Sequence, residues 1–210
     1  MDRSRLMISS SLNYFRASLR VTLATVYPSC DPEVTMKKFL AVLLAFSPIF
    51  CVAQAKNPVS DVLREMLPGR EKNIVAAFEA MPADKFEYKP TAEQMTFGHL
   101  ASHIVESNYY FCSNVADVPA PKAEELKGTE GKDKLVAAIK ASFEFCSTAL
   151  PKAEDSKMTE DIKWFDGKPR ARAWAFVALG SSWADHYGMA AMYLRLNGLT
   201  PPSAQPHPKK

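Results

Sequence analysis

Four stretches between residues 58 and 197 carry apolar side chains at spacings of three and four, and each is punctuated by proline, glycine or a capping residue. No clean two-residue alternation accompanies them, so the pattern predicts helices and not strands. The first runs from Pro58-Val59 to about Met81. Val59, Val62, Leu63, Met66 and Leu67 form one stripe, which Ile74, Phe78 and Met81 continue. Pro68-Gly69 lies inside this stretch and predicts a kink or a split, because proline removes a ladder hydrogen bond. Thr91 followed by Gln94 reads as a capping box, so the second helix is expected from Ala92 to about Ser113. The third is expected from Lys132 to Leu150, lined by Leu135, Ala138, Ile139, Phe143 and Phe145. The fourth opens near Arg170 and closes at Asn197-Gly198, a glycine C-cap. Four such helices suggest an all-α four-helix bundle.

The links constrain the topology. Residues 114–129 and 151–169 are longer than an up-and-down bundle requires, and the second is expected to hold at most a short turn at Trp164-Phe165. A link of that length can run back along a helix, which allows the second and third helices to lie parallel. Cys112 falls near the end of the second helix and Cys146 near the end of the third. Parallel helices would place the two cysteines at one end, within reach of a disulfide; the alternative is two separate buried thiols.

Upstream of the helices, residues 36–55 read MKKFLAVLLAFSPIFCVAQA. Two lysines, an apolar run and Ala53-Gln54-Ala55 have the three-part form of a secretory signal peptide; the alternative is an uncleaved N-terminal anchor or a buried helix. Residues 1–35 are then read as a non-native extension upstream of a start at Met36, or as an unusually long n-region. Bulky Phe50 before Cys51 argues against a lipoprotein. Cleavage after Ala55 leaves a helical domain over 56–203 and a polar tail, 204–210, expected to fray. The destination is the periplasm or the medium, with no stable membrane association after cleavage, and oxidation of cysteines is permitted there.

The chain has a formal charge of +3. Arg3, Arg5, Arg16, Arg20, Lys37 and Lys38, set against Asp2, Asp31 and Glu33, account for that entire excess. Residues 56–210 are neutral, with lysines interspersed among acids. A nucleic-acid partner, which needs a basic stripe, is therefore not expected.

Chemistry, if present, should centre on histidine. His99 and His103 are four apart and share a helix face; His186 lies in the fourth helix; His207 is in the tail. Imidazoles from two helices could converge on a divalent metal such as nickel or zinc. The alternative is a hydrogen-bonded interior histidine. Glu106 lies on roughly the side of His99 and His103, and Ser182 is four residues before His186. Tyr109, Trp183 and Tyr193 could line a groove for a small apolar or amphipathic ligand.

Met95-Thr96-Phe97-Gly98-His99-Leu100-Ala101-Ser102-His103-Ile104, with Phe86-Glu87-Tyr88-Lys89-Pro90 before it, resembles the second-helix motif of the DinB-like (DinB/YfiT) superfamily. Asp185-His186-Tyr187-Gly188-Met189, continued by Tyr193-Leu194-Arg195 and Asn197-Gly198, is similar to that family's final-helix signature. The resemblance covers residues 57–203. It implies a four-helix bundle of up-down-down-up order, and copies that pair as a homodimer. It also implies a divalent metal, often nickel or zinc, on three histidines. One ligand would be His103 and another His186, but the third position falls on Ser182, which is not a histidine. Three readings follow: His99 completes the set, or water or Glu106 completes a two-histidine site, or no metal is held.

Some members of the family are thiol-dependent transferases or isomerases. The resemblance therefore implies either a metal-dependent, thiol-transferase-like or hydrolase-like enzyme or a non-catalytic bundle. In the first, Glu106 would orient a histidine or relay a proton. In the second, the metal site is lost and the bundle serves binding or interaction.

Overall fold

The computed structural model describes residues 56–122 and 124–206. Residues 1–35, the segment 36–55 read from sequence as a signal peptide, and His207 lie outside the described residues. Four helices carry the fold: α1 (Pro58–Ala80), α2 (Phe97–Ala116), α3 (Lys132–Ala149) and α4 (Ala173–Leu196). Between α3 and α4 sits a small antiparallel hairpin, β1 (Asp161–Lys163) and β2 (Pro169–Ala171), with Ile162 opposite Arg170. The architecture is an all-α four-helix bundle with this hairpin appended.

Hydrogen bonds between distant residues fix the helix directions. Lys132 Nζ, at the start of α3, donates to the carbonyls of Glu79 and Met81 at the end of α1, so these helices are antiparallel. Cys112 and Cys146, each in the last turns of its helix, are joined by a disulfide with Cα atoms 5.3 Å apart, so α2 and α3 run parallel. Tyr193 Oη, late in α4, donates to the Met95 carbonyl just before α2 at 2.6 Å. Helix α4 therefore opposes α2, and the order is up-down-down-up. The link from α2 to α3 returns along the bundle. Gly128 ends up against Gly98 and His99 at the opposite end of α2 from where the link began.

Apolar faces of all four helices meet in one core. Ile74, Phe78, Phe97, Leu100, Ile104, Leu135, Ile139, Phe143, Phe176, Leu179 and Trp183 are all buried within it. Burial of each such side chain contributes about 1.5–3 kcal/mol. Asn108 is a buried polar side chain among them. Its Nδ2 donates to Ser142 Oγ at 2.9 Å, and its Oδ1 accepts from Trp183 Nε1 at 2.8 Å, which ties α2, α3 and α4 at one buried point. A satisfied buried amide specifies one register of the three helices.

Three details differ from the sequence expectation. Helix α1 is continuous through Pro68, so of the expected kink or split the split does not occur. Leu63 and Leu67 before the proline and Ile74, Ala77 and Phe78 after it are all buried, and their combined burial exceeds the roughly 3 kcal/mol that an interior proline costs. Helix α2 starts at Phe97 rather than Ala92, with Thr96 as N-cap: its hydroxyl accepts from His99 N at 3.0 Å. The first amides of α2 are also claimed by the preceding link, Phe97 N by the Tyr88 carbonyl and Gly98 N by that of Phe86. Thr91 instead opens a turn closed by Gln94 N. Finally, the link after α3 contains the hairpin, whose strands are too short to show an alternation. Its turn places Gly167 at φ 79°, which the Asp166-Gly167 pair accommodates.

Candidate functional site

The hairpin is bound tightly to the end of α2. Arg172, buried, donates to the Asn114 carbonyl at 2.5 Å, to Asp117 Oδ1 at 3.0 Å and to Glu160 Oε2 at 3.2 Å. Asp117 itself closes α2 in the left-handed region, at φ 55°. Lys157 and Arg172 hold its carboxyl below the usual carboxylate range. Tyr110 Oη donates to the Lys163 carbonyl from the same helix end. These ties bring Trp164 and Phe165 beside the first turns of α4.

Between α2, the hairpin and α4 opens a cleft of about 870 Å³. Phe111, Trp164, Phe165, Trp174, Val177 and Ala178 make its apolar wall. Trp164 packs tilted against Phe165 and stands edge-on to Trp174, with ring centroids 5.0 and 6.2 Å apart. Trp174 is 54% exposed and Val177 72%, so this wall faces solvent although it is apolar. Arg170 lies over Trp174, its guanidinium carbon 4.6 Å from the ring centroid.

The polar end of the cleft contains His103, Ser107, Ser181, Ser182, Asp185 and His186. The rings of His103 and His186 stand nearly perpendicular with centroids 5.0 Å apart. Ser182 Oγ lies 3.2 Å from His186 Nδ1, as spacing of four on one helix face allows. His103 is exposed and His186 is buried. Burial, helped by the nearby His103, pushes the His186 imidazole down to about 4, and Asp185 opposes the shift. His186 is therefore neutral at pH 7 and offers one donor and one acceptor.

The remaining sequence candidates sit elsewhere. His99 is exposed in the first turn of α2, Glu106 is exposed in mid-helix, and neither lines the cleft. Tyr109 packs edge-on to Phe145 at 5.5 Å, and burial pushes its hydroxyl up. Trp183 is in the core on Asn108, and Tyr193 is at the other end of the bundle among Phe97 and Tyr88. The structure does not gather Tyr109, Trp183 and Tyr193 into one groove. The aromatic wall that does form was missed from sequence. Its traces there were Trp174, Ala178, Ser182 and Asp185 at helical spacing and the Asp-Gly turn that folds Trp164 back.

The family model of the DinB superfamily matches residues 68–190. The chain belongs to the DinB superfamily. Solved structures share its fold, among them the following two. A DinB-like protein from Bacillus subtilis is 20% identical with a TM-score of 0.54, the match covering 69% of this chain and 94% of that one. A DinB-like protein from Bacillus cereus is 16% identical with a TM-score of 0.53, covering 66% and 92%. No curated protein matches the chain.

The residues of this DinB-superfamily chain do not fit a three-histidine metal set. Two imidazoles face each other, but the third position is the Ser182 hydroxyl, a neutral oxygen already engaged with His186 Nδ1. Such an oxygen is a poor substitute for imidazole on nickel or zinc. Among the described residues, no three His, Cys, Asp or Glu side chains cluster closely enough to hold an ion. Nor is any helix among them long and apolar enough to cross a membrane.

Proposed function

We propose that this DinB-superfamily bundle is an exported, non-catalytic binding protein that takes a small organic ligand in the cleft between α2, the hairpin and α4. The observation that carries the reading is the replacement of a third imidazole by Ser182 beneath a solvent-facing aromatic wall. Pockets for small molecules are mostly apolar with a few convergent polar groups, and this cleft has that composition. Export is supported by the form of residues 36–55 and by the Cys112–Cys146 disulfide, a bond that persists in oxidising compartments.

The competing reading is a divalent-metal enzyme of thiol-transferase-like or hydrolase-like type, and the 5.0 Å approach of His103 to His186 is what favours it. Metal content separates the two. Protein purified without a histidine tag and dialysed against nickel or zinc is expected to retain less than one ion per chain, while an apolar fluorescent probe such as anilinonaphthalene sulfonate binds and perturbs tryptophan emission. Stoichiometric metal retained through gel filtration would reverse the choice. Intact mass of protein recovered from the periplasm or medium tests export, with Lys56 expected as the first residue.

A further inference from the structure

We propose that the cleft selects an aromatic carboxylate, with the acid on Arg170 and the ring against Trp174 and Trp164. This rests on the binding reading above and adds the ligand's chemistry. Arg170 is fixed at the hairpin end of the cleft by its place in β2 opposite Ile162 and by stacking over Trp174. Its guanidinium carbon is also 6.0 Å from the Trp164 centroid. Among the described residues one side-chain acceptor meets the group, Asp166 Oδ2 at 3.0 Å from Nη2. The Nε–H, like that of Arg172, is buried without a partner, so a ligand would meet the outer Nη groups.

Guanidinium carries several donors in a planar fork suited to carboxylate. Arg170, with its side chain 30% exposed, has guanidinium donors beyond the one that Asp166 takes, at the point where the cleft is most aromatic. The opposite end has different electrostatics. Asp185, His103 and neutral His186 lie there, and the helical rise from Trp174 to Asp185 is about 16 Å. The one fixed cation and the acid of the lining thus stand at opposite ends, with Phe111, Val177 and Ala178 between them. An anionic head at Arg170 avoids Asp185, and an apolar ring covers the intervening wall. A cationic head at the Arg170 end would meet repulsion.

Calorimetric titration with 2-naphthoate, 2-naphthamide and 2-naphthylmethylammonium tests this on the whole chain. The acid is expected to bind at least tenfold more tightly than the amide, and the ammonium more weakly than the amide. Arg170→Gln should abolish the preference for acid over amide while retaining the melting temperature to within a few degrees. Asp166→Asn, which removes the competing carboxylate at an exposed turn, should tighten naphthoate severalfold and leave naphthamide unchanged. If Arg170→Gln does not fold, the three-ligand ranking and Asp166→Asn still decide the matter. Equal binding of all three probes would overturn the carboxylate assignment and leave the cleft as a binding site. Binding of none would overturn both.

Discussion

Ser182 Oγ sits 3.2 Å from Nδ1 of His186, where a second imidazole one turn away on α4 would face His103. Restoring that imidazole should restore metal affinity. Ser182→His is expected to bind nickel or zinc at least tenfold more tightly than the natural chain, measured by calorimetry at pH 7.5. An unchanged isotherm would mean that the helices do not present three rings to one point.

His186 should make the fold acid-sensitive. Its imidazole falls from 6.5 to about 4 on folding, chiefly because burial disfavours the cation. The unfolded chain then binds more protons between these values, so stability is full above about pH 6.5 and declines as the pH drops toward 4. The shift is worth about 3 kcal/mol over that window. Urea denaturation at pH 7 and pH 4.5 should show the loss, and His186→Gln should flatten the slope. A slope unchanged in the variant would reject this assignment.

The Cys112–Cys146 bridge closes a sequence separation of 34 between two parallel helices. Loop-closure entropy of that size corresponds to about 3–4 kcal/mol. Reduction, or the Cys112→Ser/Cys146→Ser pair, is expected to lower the urea midpoint accordingly. Equal midpoints with and without reductant would show that the bond does not constrain the unfolded chain.

Gly98 and Gly128 mark a backbone crossing between the start of α2 and the returning link. A Cβ at Gly98 would overlap the Gly128 carbonyl oxygen, and one at Gly128 would lie 2.5 Å from His99 Cα. Gly128 also has φ of 80°, a region side chains disfavour. Alanine at either position should cost about 3 kcal/mol, read by thermal melts, whereas Gly69→Ala, with open space around it, should not destabilise.

Asp155 caps α1 from the far side of the sequence. Its carboxylate accepts from Val59 N at 2.7 Å, Ser60 N at 2.9 Å and Ser60 Oγ at 2.5 Å. Burial pushes the carboxyl up, but these donors and the charge of Arg64 outweigh it and hold the group below its ordinary 3.8. Asp155→Ala should cost about 1–2 kcal/mol at neutral pH. A depressed carboxylate stabilises above its unfolded value and loses that contribution as pH falls through the folded one. The gap between variant and natural chain should therefore narrow below about pH 4, and a constant gap would refute the cap.

Much of the bundle was legible from local signals. Apolar spacing located four helices, because a helix buries one stripe whatever it packs against. Asn197-Gly198 marked the end of α4, because the glycine at φ 74° suits the turn after a helix. The start of α2 was misread, since Thr91 and Thr96 both precede good helix sequence. The choice between them was made by the Tyr88 and Phe86 carbonyls, which fold back onto Phe97 and Gly98.

The candidate cleft was less legible. Spacing paired His99 with His103, and the family resemblance paired His103 with His186, but spacing along one helix says nothing of what a distant hairpin will lay across it. Trp164 and Arg170 reach Trp174 through Arg172, which binds Asn114 and Asp117 at the end of α2 and Glu160 just before β1. Periodicity and punctuation, being short-range, settle helices and their approximate ends. Which aromatic faces meet, and which cation stands between them, depends on long-range closure, and there the folded chain alone holds the answer.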